Sequence, residues 1–257
     1  MSSPVTVDVA GRRLRLSNLD KVLYPDMGYR KGEVIDYYTR IAPTLLPHLA
    51  GRPLTVKRYP DGVDGPFFFE KNAPRGTPDW VRTAVLPAPG STKAREEIAY
   101  VVVEDLPTLV WLANLAALEL HTPQWKVDRQ GRAQGADQLV LDLDPGAPAS
   151  IVECCRVALL LRDALDADGL PAYPKTSGSK GLQVYAPIAP APAGDPSDYA
   201  HRLAQRLELE MPDLVVSRMT KSLRPGKVFV DWSQNNAAKT TVSPYSLRAR
   251  QLPTVST

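Results

Sequence analysis

The residues best placed to do chemistry are three aspartates. Two of them sit in Gln138-Leu139-Val140-Leu141-Asp142-Leu143-Asp144-Pro145-Gly146. Leu139, Val140 and Leu141 read as a buried strand that Pro145-Gly146 stops. Side chains alternate along a strand, so Asp142 and Asp144 share a face. Two carboxylates side by side repel, and a cation is expected to offset that repulsion. The third acid, Asp231, ends a second strand, Val228-Phe229-Val230-Asp231-Trp232. Oxygen donors with no cysteine nearby suit Mg²⁺ or Mn²⁺ rather than Zn²⁺. Two such ions could serve an in-line phosphoryl displacement. The plainer alternative is that Asp142 and Asp144 are strand-end carboxylates held by Lys or Arg.

Cationic and hydroxyl groups suited to phosphate surround these acids in sequence. Lys175-Thr176-Ser177-Gly178-Ser179-Lys180-Gly181 is a turn of glycines, hydroxyls and lysines before a strand at 182–186. Such a turn offers N–H, hydroxyl and ammonium groups to phosphate oxygens. It is not a P-loop, because the spacing differs and a strand follows instead of a helix. A basic loop at 218–227 adds Lys221 and Arg224. Ser177, Lys180, Lys221 and Arg224 together could neutralise a triphosphate. Lys21, Lys31, Lys57 and Arg58 could meet a polynucleotide backbone. Phe67, Phe68 and Phe69 are either core residues or a platform for bases beside a basic groove. His121 is open between a structural role and a place near the acids.

Around these residues the chain predicts a hairpin over 5–16 about Gly11 and a helix over 31–49. Pro43 and Pro47 are expected to end that helix early or kink it. Strands are predicted at 54–60 and 98–103. Asp105 is expected to cap a buried helix through 118, with Pro107 in its first turn. Ser150-Ile151-Val152-Glu153 matches a capping box. The helix it opens would pack Ile151, Cys155, Ala158, Leu159, Leu161 and Leu165, and end near Gly169. A further helix is predicted at 197–211, with Arg202 and Arg206 on a solvated face.

A chain of 257 residues that is 44% hydrophobic has ample core for one large domain or two small ones. Lys and Arg number 31 against 28 Asp and Glu, a net +3 that by itself announces no partner. The two cysteines are adjacent and cannot staple distant segments, which suits a reducing compartment. No stretch is apolar for long enough to span a bilayer, so no membrane role and a cytoplasmic place are expected.

At this point the motifs carry a resemblance. D-L-D-P-G at 142–146, K-T-S-G-S-K-G-L at 175–182 and F-V-D-W-S-Q-N at 229–235 resemble the polymerase domain of bacterial ligase D, of the archaeo-eukaryotic primase superfamily. S-N-L-D-K-V-L-Y-P at 17–25, F-F-E-K at 68–71, H-T-P-Q-W at 121–125, T-K-S-L-R at 220–224 and P-Y-S-L-R at 244–248 do so too. The resemblance runs nearly end to end. It implies a template-directed nucleotidyltransferase that fills gaps and extends ends in non-homologous end joining. It further implies Mn²⁺ dependence, a preference for ribonucleotides, and nucleoside triphosphates and gapped or 3′-overhanging double-stranded DNA as substrates. Ku and a ligase would be partners, and the protein would be associated with the nucleoid. Asp142, Asp144 and Asp231 would be the metal ligands. His121, Ser177, Lys180, Lys221, Arg224 and Arg248 would hold the nucleotide. Asn18, Lys21 and Lys31 would hold a 5′-phosphate, and Phe68 and Phe69 would pack on DNA beside the templating base. Gln183 departs from the pattern, because the family usually has His there. Glutamine keeps a donor and an acceptor but cannot carry charge, and its side chain is expected to face the nucleotide.

The expected fold is a single α/β (α+β) domain over 1–257. Mixed, mostly antiparallel central sheets would be flanked by helices, with the acids on adjacent strand ends in a cleft. A non-catalytic DNA-end binding and bridging module of the same fold is the alternative.

Overall fold

The structure, a computed structural model, describes residues 3–88, 96–192 and 194–257. The elements begin with β1 (Val5–Val9), β2 (Arg12–Leu16), β3 (Val22–Tyr24), β4 (Tyr29–Arg30) and α1 (Lys31–Leu49). They continue with β5 (Pro53–Arg58), β6 (Phe68–Glu70), β7 (Thr83–Pro87), β8 (Glu97–Val102), α2 (Leu106–Asn114), β9 (Ala117–Thr122) and β10 (Trp125–Val127). Then come β11 (Ala133–Pro145), α3 (Ile151–Ala167), β12 (Tyr173–Thr176), β13 (Leu182–Ala191) and α4 (Asp195–Glu210). The chain closes with β14 (Val215–Val216), β15 (Val228–Asp231), β16 (Thr241–Val242), β17 (Leu247–Ala249) and β18 (Pro253–Val255). Two compact units result. The first holds residues 1–122, 127–133 and 242–256, and the second holds 123–126, 134–241 and 257.

In the first unit β5 lies between β9 and β8, β7 extends the sheet beyond β8, and β6 pairs with β5. All these pairings are antiparallel. The expected hairpin over 5–16 is present, with Val5 opposite Leu16. Helix α1 runs through Pro43 and Pro47 to Leu49, so the early end read from those prolines does not occur. Each interior proline costs about 3 kcal/mol. Val34, Ile35, Tyr38, Ala42, Leu45 and Leu49 are buried along one side, and each large apolar side chain returns roughly 1.5–3 kcal/mol. Tyr38 adds a hydrogen bond to the Leu118 carbonyl at 2.6 Å. Packing therefore overrides the prolines.

Asp105 caps α2 by accepting from the Thr108 N–H at 2.9 Å, as expected. The helix stops at Asn114 and does not reach 118. Asn114 spends its side chain on Ser17 and Arg15, and Ala116 takes a left-handed φ of 58° that turns the chain into β9. Leu118 and Leu120 are fully buried in that strand, and a short apolar run does not distinguish strand from helix by pattern alone.

In the second unit the strand order is β12-β13-β11-β15-β14. Along this order β14 runs parallel to β15, and β12, β13, β11 and β15 pair antiparallel. Helices α3 and α4 supply Cys154, Val157, Leu161, Leu165, Ala200, Leu203, Ala204 and Leu207 to its core. The Ser150 capping box is present. The face of α3 is rotated from the expected one: Cys154 and Val157 are buried, and Cys155 and Leu159 are exposed. Both phases of this helix are apolar in sequence, and the sheet beneath selects one. The result is the mixed, mostly antiparallel α/β arrangement the sequence predicts. Among the described residues no helix is long and apolar enough to cross a membrane.

Candidate active site

Register brings the acids of the second unit together. Asp142 on β11 stands directly opposite Asp231 on β15. On the other side of Asp142, β13 places Gln183, and opposite Gln183 β12 places Lys175. Asp231, Asp142, Gln183 and Lys175 thus form one row across four strands. Cross-strand partners share a face, and Asp144, two residues beyond Asp142, shares it as well.

The row is electrostatically loaded. Burial, then repulsion from Asp144 and Asp231, pushes the Asp142 carboxyl up to about 7 against the opposing pull of Gln183 and Lys175. Asp144 is also raised, by desolvation and then by Asp231, with Arg224 opposing. Asp231 accepts from the Ser233 N–H at 3.0 Å and the Ser233 hydroxyl through Oδ1, and from Gln234 Nε2 at 2.8 Å through Oδ2. Behind Ser233, the Lys239 ammonium donates to the hydroxyl. Asn235 clasps the Val140 backbone on both sides, at 2.8 and 2.7 Å, and so fixes β11 two residues before Asp142.

Three carboxylates on one face, two of them with their protonation range raised by their neighbours, form a donor set that fits a hard divalent cation. Among the described residues no three His, Cys, Asp or Glu side chains are gathered closely enough to hold an ion as they stand.

Glycine lets the phosphate-type loops approach. A Cβ on Gly181 would lie 2.1 Å from the Leu143 carbonyl oxygen, and one on Gly146 would lie 2.1 Å from that of Arg224. The turn at 177–181 therefore closes onto β11. Its Ser177 is buried, with Oγ accepting from the Gly181 N–H at 3.2 Å. Lys180 is exposed. Gly146 donates to the Lys227 carbonyl at 2.8 Å, docking the basic loop against the end of β11. The Arg224 guanidinium lies 3.8 Å from the Phe229 ring centre, and Phe229 faces Asp144 in register. Lys221 is exposed at the start of the same loop. Gln183 is buried, stands opposite Asp142 in register and favours the charged form of its carboxylate, so the structure places it beside the acids.

The first unit holds a second polar cluster, centred on Glu119, a residue absent from the sequence-derived site. His121 Nε2 lies 2.8 Å from the Glu119 carboxylate, Arg248 Nε 3.3 Å and Lys57 Nζ 3.6 Å, and the Ala249 N–H donates to it at 3.0 Å. Burial favours the neutral acid, yet His121, Arg248 and Lys57 hold Glu119 down at about 2. His121 is itself lowered, by burial first, against the pull of Glu119. The alternation Glu119-Leu120-His121 within β9 was the available signal, since it puts both polar groups on one face.

Phe67, Phe68 and Phe69 are exposed, which removes the core reading for all three. Phe69 sits with its ring centre 5.9 Å from that of His121. Arg58 is committed within the protein, to Glu70 at 2.8 Å and the Leu115 carbonyl at 2.9 Å. Asn18 has a left-handed φ of 53°, and its carbonyl accepts from the Lys21 N–H at 3.0 Å. The Lys21 ammonium pairs with Asp61 at 2.6 Å. Lys31 is buried, donates to the Ser17 carbonyl at 2.6 Å, and is lowered to about 8 by burial and then by Lys21 and Arg58. Asn18 and Lys21 share one turn, and Lys31 reaches back to it from the start of α1.

The family described as LigD, primase-polymerase domain, matches residues 30–257. The multifunctional non-homologous end joining protein LigD of Mycolicibacterium smegmatis is 48% identical over 245 residues, covering 95% of this chain and 31% of that protein. The bifunctional non-homologous end joining protein LigD of Bacillus subtilis is 32% identical over 245 residues, covering 95% and 38%. The chain thus spans about a third of the length of these relatives. Among solved structures, the polymerase domain from Mycobacterium tuberculosis ligase D in complex with DNA matches with a TM-score of 0.89 at 46% identity, over 95% of this chain and 85% of that one. The chain belongs to the LigD primase-polymerase domain family.

Proposed function

We propose that this chain performs template-directed nucleotidyl transfer at DNA breaks, filling gaps and extending ends in non-homologous end joining, and that residues 1–257 work as one primase-polymerase domain. The observation that carries this reading is the in-register pair Asp142 and Asp231, with Asp144 on the same face, beside a docked cationic loop. Asp142, Asp144 and Asp231 would hold two divalent ions, Mn²⁺ or Mg²⁺. Bound there, such ions stabilise the attacking and leaving oxygens of an in-line displacement. Ser177, Lys180, Lys221 and Arg224 neutralise and orient the triphosphate, and His121 and Arg248 hold the nucleotide in the family reading. No covalent nucleophile is required, because positioning and charge neutralisation supply most of the rate.

Asn18, Lys21 and Lys31 take the 5′-phosphate of a gap or break. Phe68 and Phe69 offer exposed rings to DNA, with Lys57 beside them on the paired strand. Gapped or 3′-overhanging DNA is the substrate, ribonucleoside triphosphates are preferred, and Ku and a ligase are the partners. Such a substrate places the protein at the nucleoid.

Primer extension on a gapped template with Mn²⁺ and nucleoside triphosphates tests the reading. Wild type should extend, and Asp142→Ala or Asp144→Ala should not, with DNA binding retained in both. Extension by either variant near the wild-type rate overturns the assignment of the acids. A wild type that binds ends but never extends leaves the end-bridging module. Equal incorporation of ribo- and deoxyribonucleotides removes the sugar preference.

A further inference from the structure

Gln183 is 3% exposed and lies in the middle of the row, between Asp142 and Lys175. Strand pairing sets it directly opposite Asp142, whose carboxylate it favours in the charged form. An amide can present either its NH₂ or its oxygen to a neighbour, and only the NH₂ suits a carboxylate. What fixes that orientation is a chain of polar side chains behind it. The Tyr185 hydroxyl lies 3.2 Å from Gln183 Oε1 and 2.8 Å from Thr241 Oγ1. Gln124 Nε2 donates to Thr241 Oγ1 at 3.0 Å, and Gln138 Nε2 donates to Gln124 Oε1 at 2.6 Å. Gln124 and Thr241 are buried like Gln183.

Proton bookkeeping gives this chain a direction. Tyr185 has a single hydroxyl hydrogen, and Gln183 Oε1 accepts it. The Thr241 hydroxyl, which accepts from Gln124, therefore gives its own hydrogen to the Tyr185 oxygen. With its oxygen occupied, Gln183 has only its NH₂ left for Asp142. Every donor thus points the same way, from Gln138 to the carboxylate, and aligned hydrogen bonds polarise and strengthen one another.

We infer that Gln183 is a positioning residue for Asp142, held in that role by the directed relay Gln138–Gln124–Thr241–Tyr185. The inference rests on the proposed reading of Asp142 as a metal ligand. The relay ties the carboxylate with one neutral donor. It adds no positive charge that would compete with a cation, and leaves the remaining carboxylate lone pairs available. Hydrogen-bond partners of metal ligands typically contribute about 10–100-fold to metal affinity.

The test is Mn²⁺ binding to the full chain, without DNA or nucleotide, followed by electron paramagnetic resonance. Tyr185→Phe deletes one hydroxyl yet keeps the ring over which the Lys175 ammonium lies, 5.3 Å from the ring centre. It should melt like wild type and bind Mn²⁺ roughly tenfold more weakly. Gln183→Ala should weaken binding at least as much. The double variant should be no weaker than Gln183→Ala alone, because Tyr185 acts through Gln183. Asp142→Ala is the control and should lose the site. Wild-type affinity in both Tyr185→Phe and Gln183→Ala, with loss in Asp142→Ala, overturns the relay and leaves the metal-ligand reading standing. Additive losses in the double variant also overturn it. Wild-type affinity in Asp142→Ala overturns the metal-ligand reading and the relay with it.

Discussion

Replacing Glu119 by glutamine removes one negative charge from beneath His121, Arg248 and Lys57 while keeping the shape of the side chain. The carboxylate is 2% exposed, so solvent cannot take over the work of its partners. Its ordinary value of 4.5 falls to about 2 in the folded chain, even though burial acts in the opposite direction. At 1.36 kcal/mol per tenfold change, that fall corresponds to about 3 kcal/mol of stability. The sign follows from the lowered value: the unfolded chain binds the proton more readily. The contribution is therefore complete above pH 4.5 and is lost as pH falls toward 2. Leaving Arg248 and Lys57 without their buried counter-charge costs about 3–5 kcal/mol in comparable cases, which agrees in size. Urea unfolding of wild type and Glu119→Gln should differ by about 3 kcal/mol at pH 7. The gap should shrink to less than about half by pH 3. A gap under about 1 kcal/mol at pH 7, the size of an exposed pair, would refute the buried-charge argument. So would a gap equally large at pH 3.

Three further outcomes are expected. Lys31 is lowered to about 8, so its charged form is lost as pH rises through that value; preference for a 5′-phosphorylated gap should weaken between pH 7 and 9 in wild type and stay level in Lys31→Arg, and a level wild-type profile removes Lys31 from the pocket. In Gly181→Ala the new Cβ would meet the Leu143 carbonyl at 2.1 Å, an atom fixed in the β11 ladder; a loss of about 3 kcal/mol is expected in urea unfolding, and an unchanged midpoint would show that β13 can move away. Cys155 is exposed, whereas Cys154 is buried, sits 3.6 Å from the Leu143 carbonyl and is pushed up by burial to about 12; iodoacetamide should give one adduct in the native protein, at Cys155, and mass spectrometry showing equal rates at both would place the α3 face wrongly.

What was legible in the sequence is what local pattern controls. The Asp142-x-Asp144 face follows from alternation along one strand, and Pro145-Gly146 and Gly181 announce sharp turns. The Ser150 capping box needs only four residues. These readings carry into the structure because each depends on neighbours a few positions away. Where two local solutions compete, the pattern is silent. Helix α3 is apolar in two phases, and only the sheet beneath it makes Cys154 the inner cysteine. The run after Asn114 is apolar enough for helix or buried strand, and Ala116 decides it.

The parts of the site that could not be read are those made by register. Lys175 lies 33 positions from Asp142, and only the pairing of β12 to β13 and β13 to β11 sets both in one row. Gln183 looked like a nucleotide contact because it follows the Ser177 turn, yet its opposite number on β11 is an acid, and that neighbour claims its amide. Arg58 looked like a backbone contact until β6 brought Glu70 beside it. Each case has one cause. A charged or amide side chain bonds to whatever partner the sheet delivers, and delivery depends on strand order. A one-residue slip of β13 would turn Gln183 away from Asp142 and put Leu182 or Val184 in its place. Gly181, on the turn entering β13, opposes that slip. Gly181 seats the turn against Leu143, and Gly146 seats the basic loop against the end of β11. A residue with no side chain thus helps hold the register on which the charged ones depend.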